Sequence, residues 1–167
     1  MSSEREIMSW EIFGEASRVL AQMVADSGYE PDMILSIARG GLLIGGALGY
    51  ALSVKNVYTM NVEFYTGVDE RLDVPMILPP IPDPGFLANA DVLIADDVAD
   101  TGHTLAAVKQ FCTGKVATVR AAVLYEKPRS VVKCEYRWKA TDLWIDFPWS
   151  SQPSITAGKS GRLVKDA

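Results

Sequence analysis

The first half of the chain alternates between amphipathic and uniformly apolar segments. In residues 9–27, Phe13, Ala16, Leu20 and Val24 recur at helical spacing, and Ser9 can cap the first turn, which predicts an amphipathic helix. Residues 33–37 form a short apolar run typical of a buried strand. After a loop at residues 38–41, an apolar segment from Gly41 to about Leu52 predicts a second helix.

The second half repeats the alternation of strand and helix. Residues 56–64, 91–95 and 116–125 predict strands, residues 96–101 a loop, and residues 102–112 a helix. Residues 65–89 predict a long irregular loop, because residues 75–84 hold five of the nine prolines. Short strands with aromatic residues follow up to residue 147. This order is typical of an α/β fold with a mostly parallel central sheet covered by helices on both faces.

The domain organisation follows from the length and the continuous pattern. The chain has 167 residues, and neither an internal repeat nor a change in composition divides it. We expect a single domain over residues 1–150 and a loose C-terminal tail over residues 151–167. In a parallel sheet, ligands bind at the carboxyl ends of the strands. The loops at residues 38–41 and 96–104 are therefore the first places to look for a site.

Composition excludes several classes of function. The net charge is −5 without a basic run, which argues against binding of nucleic acid or anionic membranes. The longest apolar run, residues 40–52, is too short to span a bilayer, and residues 1–6 lack the apolar core of a signal peptide. One histidine and two distant cysteines, Cys112 and Cys134, argue against a zinc site. We expect a cytoplasmic, reduced protein with no membrane span.

Residues 91–104 carry the most informative pattern. A buried strand ends in Asp96 and Asp97, and Asp100 precedes a Thr-Gly-His-Thr turn that opens a helix. Such a turn can point several backbone N–H groups at a phosphate, assisted by the helix dipole. Two adjacent carboxylates can accept the hydroxyl protons of a vicinal diol and can attract a divalent cation. The pattern predicts a sugar-phosphate site, although acidic residues also simply end strands and cap helices.

Residues 92–104 resemble the phosphoribosyl-pyrophosphate (PRPP) motif of the type I phosphoribosyltransferases: four apolar residues, two acids, two variable residues and Asp-Thr-Gly-x-Thr. Residues 36–41 resemble the pyrophosphate loop of that family, in which the peptide before the arginine is often cis. The resemblance implies the family's fold, with a small hood built from the C-terminal part, about residues 125–150. It also implies a homodimer or homotetramer.

Two later segments resemble the purine-binding segments of the xanthine-guanine phosphoribosyltransferases. They are residues 125–128 (Tyr-Glu-Lys-Pro) and residues 142–149 (Asp-Leu-Trp-Ile-Asp-Phe-Pro-Trp). Asp146 stands where that subgroup has the longer glutamate. The Ser-Tyr pair of the family's flexible loop is absent near residues 63–65, and the proline-rich residues 74–85 have no counterpart.

The resemblance implies a role for each matching residue. Asp96 and Asp97 would hold the ribose hydroxyls, with Asp97 nearest to Mg²⁺, and Asp100 would be the catalytic proton acceptor at the base. The remaining PRPP contacts fall to the 5′-phosphate group Thr101, Gly102, His103 and Thr104 and to the pyrophosphate group Arg39 and Gly40. The purine site would consist of Lys127, Trp144, Ile145 and Asp146.

These roles imply a magnesium-dependent glycosyltransferase of purine salvage. It would transfer the 5-phosphoribosyl group from PRPP to guanine, xanthine or hypoxanthine, with release of pyrophosphate. Lys127 only donates hydrogen bonds, which favours a 6-oxopurine over adenine. Two alternatives stay open: an enzyme acting on another base or specialised metabolite, and a non-catalytic PRPP-sensing or RNA-binding regulator.

Overall fold

A computed structural model describes residues 4–66, 71–78 and 80–156. In this part of the chain a six-stranded sheet has the order β4-β3-β2-β5-β6-β7, and a second sheet pairs β1 with β8. All neighbouring strands are parallel except β3 and β4. The elements are β1 Arg5–Ile7, α1 Trp10–Asp26, β2 Met33–Ala38, α2 Gly40–Ala51, β3 Val57–Thr66, β4 Arg71–Leu78, α3 Pro84–Leu87, β5 Asp91–Ala99, α4 His103–Cys112, β6 Thr118–Glu126, β7 Tyr136–Ala140 and β8 Trp144–Asp146.

The central strands alternate their side chains between two separate apolar cores. On β2, Ile34 packs under α1 and α2, whereas its neighbour Leu35 packs in the core beneath α4. Leu93 and Ile94 divide in the same way on β5. Each face therefore buries apolar surface, which explains the continuous apolar runs of these strands. The predicted α/β fold with a mostly parallel sheet covered on both faces is confirmed.

Local interactions explain where α1 begins and how closely α2 packs on the sheet. Ser9 caps α1 by accepting the N–H of Ile12 at 3.2 Å, as its position predicts. Helix α2 lies close to β2 because Gly45 has no side chain: a Cβ there would meet Oγ of Ser36 at 1.8 Å. None of the described helices combines the length and the apolarity that crossing a bilayer requires.

The prediction of a long irregular loop over residues 65–89 is wrong. Strand β4 and the short helix α3 lie in this range, and β4 pairs antiparallel with β3. The prolines argued against a strand, but β4 is at the edge of the sheet, where Pro75 does not interrupt a ladder on both sides. The family's flexible loop falls partly on residues 67–70, which lie outside the described residues.

The prediction of a loop over residues 96–101 is also wrong for residues 96–99. Strand β5 continues to Ala99, because Asp96, Val98 and Ala99 keep their register with β6. The side chains of Asp96 and Asp97 are therefore held by a strand rather than by a loop.

The sequence predicted short strands up to residue 147 but did not reveal how the last of them pairs. β8, in the C-terminal part, pairs with the N-terminal strand β1. Beneath them, Phe147 stacks on Trp149 with 4.8 Å between ring centroids, and Trp149 also contacts Phe13 and Trp10. Residues 151–156 are exposed without helix or strand, and the rest of the predicted tail lies outside the described residues.

Candidate active site

Three adjacent parallel strands deliver the central charged residues to one edge of the sheet. Arg39 directly follows β2, Asp100 follows β5 and Lys127 follows β6. Because β2, β5 and β6 are neighbours and parallel, their carboxyl ends meet at the same edge. This is the edge at which parallel α/β sheets bind ligands.

Asp96 and Asp97 form a tightly packed acidic pair at the end of β5. The Asp97 N–H donates to Oδ1 of Asp96 at 2.9 Å, and the Val98 N–H donates to Oδ1 of Asp97 at 2.8 Å. Burial raises the pKa of Asp96 well above its ordinary value, and the neighbouring charge of Asp97 adds to the shift. Burial also raises the pKa of Asp97, although hydrogen bonds from Asp96, Val98 and the Trp149 side chain oppose the shift.

The acidic pair has the chemistry of a site for a cation that keeps most of its water. Mg²⁺ binds through one or two carboxylates together with substrate phosphates. The raised pKa values of Asp96 and Asp97 mean that their ionised forms lack sufficient compensation, and a divalent cation would supply it. Within residues 4–66, 71–78 and 80–156, no group of three or more His, Cys, Asp or Glu side chains that could hold a metal occurs.

The loop after β2 approaches Asp97 closely. The Ala38–Arg39 peptide is cis, as the resemblance implies, and Arg39 is exposed. A Cβ on Gly40 would meet Oδ2 of Asp97 at 1.9 Å. Only glycine allows this approach, which brings the predicted pyrophosphate loop against the predicted metal ligand.

The predicted phosphate turn forms the N-terminus of α4, a ten-residue helix. Gly102 has φ of +83°, and a Cβ there would meet Oγ of Ser130 at 2.4 Å. The turn is braced from outside, since the Val131 N–H donates to the Thr101 carbonyl at 2.8 Å. Thr101 and His103 are exposed and Thr104 is half-buried, so the structure brings the four predicted residues together on an accessible helix N-terminus.

Asp100 is paired with a basic residue that the sequence interpretation missed. The Arg129 guanidinium donates to Oδ1 of Asp100 through Nε at 2.8 Å and also through Nη2. The Arg129 and Asp100 side chains are 67% and 48% exposed, so the pair is accessible to solvent. Arg129 follows Lys127 by two residues, and this short basic run was the available signal.

Lys127 and β8 meet where the purine site is predicted. Lys127 is buried, its N–H donates to the Ala99 carbonyl at 2.9 Å, and its Nζ donates to the carbonyl of Leu143. The next residue, Trp144, has 67% of its surface exposed, which leaves its ring available for stacking. Ile145 turns its side chain into the core, so it can offer only backbone groups to a ligand.

Asp146, the last predicted purine residue, forms an ion pair with Arg5 of β1, with Nη1 to Oδ1 at 2.8 Å. The sequence interpretation missed Arg5, which is 141 positions away in the chain. Trp149, which the sequence interpretation assigned to the core or an interface, is partly buried against the core below α1.

A family model and the most similar known proteins point to the same family. A family model described as a phosphoribosyl transferase domain matches residues 4–154. A purine phosphoribosyltransferase structure from Pyrococcus horikoshii is 31% identical, covers 91% of this chain and 98% of its own, and has a TM-score of 0.78.

More distant relatives cover similar shares of the chain. The xanthine-guanine phosphoribosyltransferase of Desulfotalea psychrophila is 25% identical over 158 residues, which are 93% of this chain and 92% of the relative. The Helicobacter pylori xanthine-guanine-hypoxanthine phosphoribosyltransferase structure shares the fold at 24% identity, with a TM-score of 0.71 over 88% of this chain and 94% of its own. Together with the acidic pair and the phosphate turn at one sheet edge, these matches show that the chain belongs to the purine phosphoribosyltransferase family.

Proposed function

We propose that the protein transfers the 5-phosphoribosyl group from PRPP to a ring nitrogen of a 6-oxopurine and releases pyrophosphate, in a reaction that requires Mg²⁺. The observation that carries this proposal is the convergence of Arg39, Asp100 and Lys127 on the carboxyl ends of β2, β5 and β6. In this proposal Arg39 stabilises the leaving pyrophosphate, Asp100 accepts the proton and Lys127 binds the purine.

The PRPP side is supported by Asp96, Asp97 and the N-terminus of α4. The two carboxylates are acceptors for the two ribose hydroxyls, and Asp97 and the ribose would together hold the Mg²⁺. When bound, the cation would stabilise negative charge on the pyrophosphate oxygens. The backbone N–H groups of residues 101–104 and the positive end of the helix would bind the 5′-phosphate.

The chemistry at C1′ follows from these positions. The bond from C1′ to the pyrophosphate oxygen breaks, and its electron pair leaves with the pyrophosphate. Arg39 and the loop amides up to Gly40 stabilise that growing charge. The purine nitrogen forms the new bond to C1′ and loses its proton, which Asp100 accepts.

Two features support a 6-oxopurine as the acceptor. The Lys127 ammonium donates to the Leu143 carbonyl in this structure and would donate to the 6-oxo group of a base stacked on Trp144. The 6-amino group of adenine would set donor against donor. A buried polar group left without a partner costs about 1–3 kcal/mol, which disfavours adenine.

The direct test is turnover with PRPP and Mg²⁺ against guanine, xanthine, hypoxanthine, adenine and orotate. We expect nucleoside monophosphate and pyrophosphate from one or more of the 6-oxopurines, little product from adenine or orotate, and loss of activity with a chelator. Preference for adenine or orotate would refute the base assignment.

Two other outcomes would identify the alternatives. Product from none of the five bases, with PRPP binding intact, would favour a non-catalytic PRPP-binding regulator. PRPP hydrolysis without transfer to any of them would indicate another base or a specialised metabolite as the acceptor. A cytoplasmic location and a homodimer or homotetramer stay predictions, which cell fractionation and sedimentation test.

A further inference from the structure

The N-terminal strand forms part of the wall of the predicted purine site. β1 pairs with β8 in parallel register, so that Arg5 lies opposite Trp144 and Ile7 opposite Asp146. The Met8 N–H extends the pairing by donating to the Asp146 carbonyl at 3.0 Å. The segment that carries the predicted purine contacts is therefore held by the other end of the chain.

Alternation along the two strands sorts their side chains by face. Trp144 and Asp146 are two residues apart and share the face of β8 that is turned away from the core, while Ile145 is buried in it. Arg5 lies on the corresponding face of β1, since paired residues of parallel strands point the same way. Arg5, Trp144 and Asp146 thus form one continuous surface.

On this surface Arg5 holds Asp146 directly. Nη1 of Arg5 lies 2.8 Å from Oδ1 of Asp146, and the two side chains are 50% and 28% exposed. The contact engages one carboxylate oxygen and one nitrogen of a guanidinium that has five N–H donors. The pair can therefore offer an acceptor and several donors side by side.

We propose that Arg5 is a positioning and specificity-determining residue for the substituent at C2 of the purine. This inference rests on the proposed 6-oxopurine acceptor. Arg5 orients Asp146 so that its second oxygen accepts from the 2-amino group of guanine. The guanidinium itself donates to the 2-oxo group of xanthine, which Asp146 alone would repel. Hypoxanthine carries only hydrogen at C2 and gains nothing from either group.

The test measures kcat and KM for the three 6-oxopurines in Arg5→Ala and Arg5→Lys. In Arg5→Ala we expect kcat/KM for xanthine to fall by about ten-fold or more, the typical effect of losing a hydrogen bond to a charged partner. For guanine we expect a loss of about three-fold and for hypoxanthine a change within about two-fold, because guanine loses only the orientation of its acceptor. The losses should appear in KM rather than kcat, since Arg5 touches no reacting atom, and Arg5→Lys should restore part of the xanthine activity.

A second ion pair on the same strand provides a matched control. Glu6, the neighbour of Arg5 in sequence, forms an ion pair with Lys139 of β7 at 2.7 Å. The Lys139 side chain is 47% exposed and the Glu6 side chain 18%. Lys139→Ala removes this tether of β1 and leaves the pair of Arg5 and Asp146 in place. We expect it to leave the relative kcat/KM of the three purines unchanged.

The outcomes separate this inference from the proposed function. A wild-type enzyme that uses no 6-oxopurine would overturn both. A wild-type enzyme that uses them, with an unchanged xanthine-to-hypoxanthine ratio in Arg5→Ala, would overturn only the role of Arg5. The same shift in Lys139→Ala, or equal losses for all three purines in Arg5→Ala, would reduce Arg5 to a tether of the strand and overturn the proposal as well.

Discussion

Replacing Gly40 by alanine tests whether the pyrophosphate loop and the acidic pair work as one packed unit. The added Cβ would lie 1.9 Å from Oδ2 and 2.3 Å from Cγ of Asp97. The carboxylate must retreat by about 1.5 Å before the contact becomes an ordinary van der Waals one. Gly40 is also the first residue of α2, so the backbone there is continuous with a helix that packs on β2 and β5 and has little freedom to yield.

The cost of this retreat follows from what holds Asp97. Its Oδ1 accepts the Val98 N–H at 2.8 Å. A hydrogen bond to a charged group is worth about 1.5–3 kcal/mol, so the side chain does not move freely. A group displaced by about 1 Å from its working position costs about 100-fold in rate. We therefore expect kcat/KM for PRPP to fall by about 100-fold or more.

The assay combines steady-state kinetics with PRPP as the varied substrate and thermal unfolding of the same preparation. Gly46→Ala is the matched control, because Gly46 lies on the same helix and a Cβ there would meet nothing within 4 Å. We expect this control to keep wild-type kinetics and to gain up to about 1 kcal/mol of stability from alanine's helix propensity.

Two results would refute the reasoning. Wild-type kcat/KM in Gly40→Ala would mean that Asp97 needs no fixed position. A melting temperature below the assay temperature would mean that the substitution acts through unfolding, and not through the displaced carboxylate.

Three further predictions follow from other groups. Asp100→Asn should lower kcat by about 100-fold or more while PRPP affinity, measured by calorimetry, changes little, because it removes a proton acceptor and keeps the shape; equal losses in both would contradict that role. Asp96→Asn should abolish transfer yet raise the melting temperature of the ligand-free protein at neutral pH. The pKa of Asp96 is raised above its ordinary value of 3.8, so ionising this carboxylate in the folded protein lowers the free energy of unfolding. This cost builds up as pH rises from 3.8 through the pKa of the folded state, so the gain in melting temperature should shrink as pH falls towards 4. A gain that does not change with pH would contradict the explanation. Burial raises the pKa of the Cys112 thiol to about 11 and that of Cys134 to about 12, so neither should react with a thiol reagent at pH 8 unless the protein is unfolded, and rapid native labelling would contradict their burial.

The sequence was sufficient for features that neighbouring residues determine. The cap at Ser9, the two-faced central strands and the turn at Gly102 all depend on interactions within one element or between adjacent elements. The carboxylate pair of Asp96 and Asp97 was readable for the same reason, since the motif is contiguous along the chain.

Features that depend on distant contacts were not predictable. Nothing near Arg5 shows that it will meet Asp146, because their contact requires β1 and β8 to pair across almost the whole chain. The prolines of residues 75–84 favoured a loop, and only the place of β4 at the sheet edge makes Pro75 compatible with a strand. Predicting either feature needs the sheet order in advance.

The acidity of this chain fits an anionic substrate once the two carboxylates are considered apart from the rest. Asp96 and Asp97 lie at a strand end where burial raises both pKa values, so the ligand-free fold bears a cost to keep them there. A packing role would not explain this, because asparagine would fill the same space without the charge. A substrate that brings hydroxyl donors together with a divalent cation would remove this cost on binding. The net charge of −5 therefore says nothing against PRPP. What matters is that the negative charge at this edge lies where the ribose and cation would bind, while the backbone N–H groups at the start of α4 would bind the 5′-phosphate.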